Sequence, residues 1–116
     1  MSIKSSLQRL LLTAALAACI APLMANAAEK SVRITAIVEH PALDAVRQGV
    51  LDELQQQGYR PGKNLDWEFQ SAQGDTSIAG QIARKFVGDA PDAIVAIATP
   101  SAQSVAAAAH GSLPVI

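Results

Sequence analysis

Thiols, aromatic side chains and an excess of basic charge are all missing from most of this 116-residue chain. The single cysteine, Cys19, lies in an apolar N-terminal stretch, so the remainder has no thiol and no means of forming a disulfide. A domain without disulfides must be held by its hydrophobic core, which requires something larger than a mini-protein. Of the nine Lys and Arg, Lys4 and Arg9 precede residue 28; the other seven face ten Asp and Glu, a formal charge of −3. That mild acidity, with no basic stripe or aromatic-basic cluster, argues against a nucleic-acid partner. The aromatics are Tyr59, Trp67, Phe69 and Phe86, too few for an exposed platform that stacks sugars or bases.

The missing motifs exclude several chemistries. There is no GxGxxG after the first strand and no GxxxxGK[ST], so dinucleotide and P-loop sites are absent from this stretch. GxSxG, the serine nucleophile elbow, does not occur. His40 and His110 are the only histidines, and without a thiol there is nothing from which to build a zinc site. Paired carboxylates after the first strand, as a phosphoacceptor domain needs, are missing. No catalytic group and no cofactor are expected here.

Residues 1–27 read as an export signal. Lys4 and Arg9 form a basic region, an apolar run begins at Leu10, Pro22 breaks it, and Ala25-Asn26-Ala27 offers small residues around a peptidase cut. The run falls short of the roughly 20 apolar residues that cross a bilayer. Leu16-Ala17-Ala18-Cys19 also fits a lipoprotein pattern with acylation of Cys19, but Ile20, Ala21, Leu23 and Met24 continue the apolar stretch where a polar tether is usual. Cleavage after Ala27 is the preferred reading, and on either one the protein leaves the cytoplasm.

Residues 28–116 alternate strand and helix, which predicts an α/β fold with a parallel sheet and helices on both faces. A first strand is expected over Ser31–Val38, then a helix over Pro41–Gln57 with Leu43, Val46, Val50, Leu51 and Leu54 on its apolar stripe and Gly58 as its stop. Leu65, Trp67 and Phe69 alternate with Asp66, Glu68 and Gln70, the pattern of an edge strand wet on one face. Asp75 or Thr76 caps a second helix with stripe Ile78, Ala79, Ile82, Ala83 and Phe86. Ala93–Ala98 has no polar residue, as in a strand buried on both faces. An alanine-rich third helix follows, with Thr99 expected as N-cap, Pro100 at the first helical position and Gly111 as its end. Leu113–Ile116 begin a fourth strand with no ending. The chain is therefore expected to be the partial N-terminal lobe of a larger exported protein.

The edge character of the second strand and the core character of the third favour spatial order 2-1-3-4. Winding then reverses between strands one and three, and open α/β sheets bind ligands outside the carboxyl ends of the strands at such a point. The loops there are Glu39-His40-Pro41-Ala42 and Thr99-Pro100-Ser101-Ala102-Gln103. Unpaired N–H groups at a helix start, with hydroxyls from Thr99 and Ser101, suit a carboxylate or phosphate; plain capping accounts for Thr99 but leaves Ser101 and Gln103 unexplained. His40 reads either as a cap or as a ligand contact. Asp75, one strand outward, fits a turn and cap better than a ligand role.

Three stretches carry a family resemblance: Val38-Glu39-His40-Pro41-Ala42-Leu43-Asp44, Ala72-Gln73-Gly74-Asp75, and Val95-Ala96-Ile97-Ala98-Thr99-Pro100-Ser101-Ala102-Gln103. With Ala83-Arg84-Lys85-Phe86-Val87 between them, they closely resemble the ABC-transporter substrate-binding proteins of the tryptophan/tyrosine type, over essentially all of residues 31–116. The resemblance implies a periplasmic, two-lobed binding protein of the type I fold that closes on a small ligand and delivers it to a membrane permease. It also implies ligand contacts at His40, Thr99, Ser101 and their neighbours, with an α-carboxylate at the helix start. An exported enzyme or sensor input domain on the same fold is the alternative, since fold does not determine function.

Overall fold

Alternating apolar residues build the first strand, β1 (Lys30–Ala36), in which Val32, Ile34 and Ala36 face one side and Arg33 and Thr35 the other. In the computed structural model, which describes residues 29–116, β1 is the centre of a parallel sheet. It pairs with β2 (Leu65–Ser71) on one side and β3 (Ala93–Ile97) on the other, giving the order β2-β1-β3. Ile34 lies opposite Phe69 and Val95. The segment after residue 112 continues the series beyond β3: Ile94 N–H donates to Pro114 O at 3.0 Å, and Ile116 N–H donates to Ile94 O at 2.9 Å. The expected order 2-1-3-4 is therefore present. The signal over residues 1–27 and Cys19 lie outside the described residues.

Helix α1 (Pro41–Gln56) covers one face of the sheet, and α2 (Thr76–Gly88) and α3 (Thr99–Ala109) cover the other. Under α1 lie Val32, Ile34, Ala36, Leu65, Val95 and Ile97, packed by Leu43, Val50, Leu51 and Leu54. Between the sheet and α2–α3 lie Ile82, Ala83, Phe86, Ile94 and Val105. Ala79, Ala83, Val105 and Ala109 are among the residues that these two helices bury.

The helix termini follow local chemistry. Asp75 Oδ1 accepts the N–H groups of Ser77 (2.7 Å) and Ile78 (3.3 Å), so Asp75 is the N-cap of α2. At the end of α1, Gly58 takes φ +94 while Gly58 N–H bonds Gln55 O and Tyr59 N–H bonds Leu54 O. That pair of bonds is the Schellman motif, which a residue without Cβ makes easily.

Four expectations need correction. β1 ends at Ala36 rather than Val38, and Val38 is 39% exposed, because the chain bends there to reach α1. Val46 is off the buried stripe at 49% exposure; Arg47 takes that place, its guanidinium carbon 4.1 Å from the centre of the Phe69 ring. Ile78 is also exposed, in the first turn of α2, where that helix has not yet reached the sheet. At α3, Thr99 is not the N-cap: the helix begins one residue earlier than expected and Ala98 holds the capping position, while Gly111, at φ 74, ends the helix as expected, just after the left-handed C-cap His110.

The polar face of β2 is not simply wet. Arg33, with 11% of its side chain exposed, reaches Asp66 Oδ2 at 3.3 Å, Asp89 Oδ2 at 3.2 Å and Glu68 Oε2 at 3.6 Å. Lys85 from α2 closes on both carboxylate oxygens of Glu68 at 2.9 Å. The Glu68 carboxyl is held below the usual range by hydrogen bonds from Gln70 and Lys85, against the opposing effect of burial. Burial acts to lower the Arg33 pKa, but its bonds to Asp89 and Asp66 outweigh this and leave it raised. The lattice ties the edge strand to the end of α2.

Candidate functional site

Parallel strands deliver their following loops to one edge of the sheet, and three loops meet there. The chain leaves β1 through Ile37–His40, β2 through Ala72–Asp75, and β3 through Ala98. The first two are stitched together: Ala72 N–H donates to Ala36 O at 2.9 Å, and Gly74 N–H donates to Ile37 O at 2.7 Å. Gly74 has φ +81 and the preceding Gln73 φ 53, the consecutive left-handed residues that turn the chain back into α2.

The predicted site residues divide by what already occupies their polar atoms. His40 is the N-cap of α1: its Nδ1 accepts Ala42 N–H at 3.2 Å. Pro41 is the first helical residue, and Glu39 is exposed beside it. Asp75 is spent on capping α2, the reading its turn context favoured.

The start of α3 differs from the other two. Ala98 has no side-chain acceptor, and the helix has no side-chain cap. Ala102 N–H bonds Ala98 O at 3.0 Å, while Pro100 has no N–H at all. The N–H groups of Thr99 and Ser101 therefore point out of the first turn with no partner among the described residues. Ser101 is 1% exposed, and its Oγ has no hydrogen-bond partner among the described residues. An orphaned buried hydroxyl is unfavourable by about 1–3 kcal/mol, so its presence in the first turn of an uncapped helix requires an explanation. Thr99 and Gln103 are exposed, Pro100 and Ala102 half-buried.

Sequence reasoning missed Ala98. Its φ of 76 and ψ of 154 lie in a region that is essentially reserved for glycine, at about 1–3 kcal/mol for any other residue. Nothing local signals this, because alanine has no preference for positive φ. The conformation comes from the need to turn β3, buried in the sheet, directly into α3 packed above it.

Two surface depressions lie elsewhere. One of about 380 Å³ is bounded by Pro61, Lys63, Leu65 and Trp67, at the amino end of β2. The other, of about 510 Å³, runs between α2 and α3, bounded by Gly80, Arg84, Ser104, Ala107 and His110. Neither contains a residue of the three converging loops. The carboxyl edge is an open face, with unpaired donors of α3 at the point where the winding reverses. That geometry suits an anionic group brought in from outside the sheet.

The ABC transporter substrate-binding protein family profile matches residues 31–116. The chain belongs to that family. It is 45% identical over 76 residues to the tyrosine-binding protein of Clostridioides difficile, a match that covers 66% of this chain and 22% of that one. A ligand-free, open structure of a substrate-binding protein with adhesive properties from Clostridium difficile aligns with a TM-score of 0.72 at 45% identity, covering 75% of this chain and 29% of the other. An ABC domain from Streptococcus pneumonia in complex with L-Trp aligns at 0.66 and 31% identity, over 70% and 27% respectively. The chain thus spans less than a third of the length of these relatives. No described helix is long and apolar enough to cross a membrane.

Proposed function

We propose that this chain supplies the first-lobe wall of an extracytoplasmic receptor that captures a small carboxylate-bearing ligand, an aromatic amino acid, for an ABC importer. The observation that carries the reading is the start of α3: unpaired N–H groups at Thr99 and Ser101, and an orphaned, buried Ser101 hydroxyl, at the carboxyl edge where winding reverses. Membership of the family and the amino acids named for two relatives support it. The α-carboxylate takes the place of the missing cap on α3. Thr99, Pro100, Ser101, Ala102 and Gln103 frame it, and Glu39, His40 and Pro41 stand across the reversal point. Asp75 acts from one strand further out, by holding the start of α2 through its two capping bonds. Val38 and Ile78, exposed at the same edge, offer apolar surface to a side chain.

A second lobe closes over the ligand in this reading, and a membrane permease receives it. Residues 1–27 direct export to the periplasm, with cleavage after Ala27 preferred over acylation at Cys19. Calorimetry on the full-length protein tests the reading, with L-tyrosine, L-tryptophan and L-tyrosinamide as ligands. At least one amino acid should bind and the amide should bind much more weakly, while residues 29–116 alone should bind none of them. Failure of both amino acids, or equal affinity for the amide, would overturn it.

A further inference from the structure

We propose that Ala98 is a positioning residue: by withholding a side-chain acceptor from the start of α3, it reserves the Ser101 N–H for the ligand. The inference rests on the carboxylate reading above and adds to it the residue that keeps the receptor open.

The geometry can be followed from the capping torsions. The ψ of a capping residue sets where its Cβ stands relative to the helix ahead, while φ sets the direction from which the chain arrives. Ala98 has ψ 154, close to the 144 of His40, whose side chain reaches into its own helix and accepts Ala42 N–H. The Cβ of Ala98 therefore stands where a short acceptor would reach the first turn of α3. Only its φ, 76 against −150 for His40, is unusual, and that concerns the arriving strand.

An N-cap side chain accepts from the second or third helical residue. In α3 the second is Pro100, which has no N–H, so a cap at position 98 has Ser101 N–H as its only target. A ligand carboxylate at this helix start needs that same donor. An acceptor at 98 and a ligand anion are thus direct competitors, and alanine is the smallest L-residue that settles the competition for the ligand. In the same turn the buried Ser101 Oγ also lacks a hydrogen-bond partner among the described residues, as does Thr35 Oγ1 on β1.

The experiment uses the full-length protein with substitutions Ala98→Ser and Ala98→Asp. Thermal unfolding without ligand and calorimetry with L-tyrosine or L-tryptophan, whichever the parent binds, are read together. An internal cap should raise the ligand-free Tm by about 2 °C. It should weaken binding about fivefold for serine, and about thirtyfold or more for aspartate, whose charge also repels the ligand carboxylate. A substitution that merely disturbed the fold would lower stability and affinity together, so opposite signs are the signature. If both variants bind the amino acid as tightly as the parent, while the parent still rejects L-tyrosinamide, the inference is wrong and the carboxylate reading survives. If the parent fails to discriminate the amide, the carboxylate reading is itself overturned and takes this inference with it.

Discussion

Replacing Ala98 by glycine should stabilise the ligand-free protein, although glycine ordinarily does the reverse. At φ 76 and ψ 154 an L-residue stores about 1–3 kcal/mol that glycine does not. Against this, glycine gains freedom in the unfolded chain, a penalty of about 0.4–1 kcal/mol. Loss of the methyl matters little, since Ala98 is exposed and makes no part of either core cluster. The balance is a gain of about 1 kcal/mol. Urea unfolding of the ligand-free full-length protein measures it: the midpoint should rise while the slope m stays constant, since the surface exposed on unfolding is unchanged. A loss of about 0.5 kcal/mol or more at constant m would refute the reasoning, because it would mean that the native backbone at 98 is one that alanine accepts freely.

Ser101→Ala should leave ligand-free stability unchanged or slightly raised, since the hydroxyl is buried without a partner, yet weaken amino-acid binding by about 1 kcal/mol in calorimetry. A loss of stability with unchanged affinity would show a structural role instead. Arg33→Met should destabilise by about 2 kcal/mol in urea unfolding, because Asp66, Glu68 and Asp89 would be left facing one another with Lys85 as the remaining cation of the lattice; an effect within about 0.5 kcal/mol would make the lattice ornamental by the standard of surface pairs. Glu68 has its folded pKa depressed, so its contribution is present above the unfolded value and is lost as pH falls from the usual glutamate range through the lower folded one. Glu68→Gln should therefore flatten the acid limb of a stability–pH curve and leave its slope near neutrality untouched.

Much of the fold was legible because it is encoded at short range. Alternation in β1 and β2, the unbroken apolar run of β3, the Asp75 cap and the Gly58 stop each depend on residues within a few positions of one another. Strand order followed too, from the contrast between β2, which carries Asp66, Glu68 and Gln70 on alternate positions, and β3, which has no polar residue. The misplacements of Val46, Ile78 and Thr99 share one origin. Periodicity identifies an apolar stripe but not where the sheet beneath it begins and ends, and a cap preference names the residue type without the direction from which the strand arrives.

Long-range geometry decided the rest. Arg33 draws acids from β2 and from the end of α2 that are 33 and 56 residues away in the chain, and only the parallel register brings them into reach. The carboxyl-edge loops were predictable as a group from topology, whereas the state of each polar atom within them was not. Sequence alone left His40 open to either role and gave Thr99 the cap; packing committed His40 to α1 and passed the cap position of α3 to an alanine that cannot fill it. The sequence by itself determined which segments become strands and helices and which loops share the carboxyl edge of the sheet, because those depend on local periodicity and on the handedness of crossovers. Only the tertiary structure determined that the start of α3 remains unsatisfied, because that follows from the angle at which a buried strand must turn into the helix packed above it.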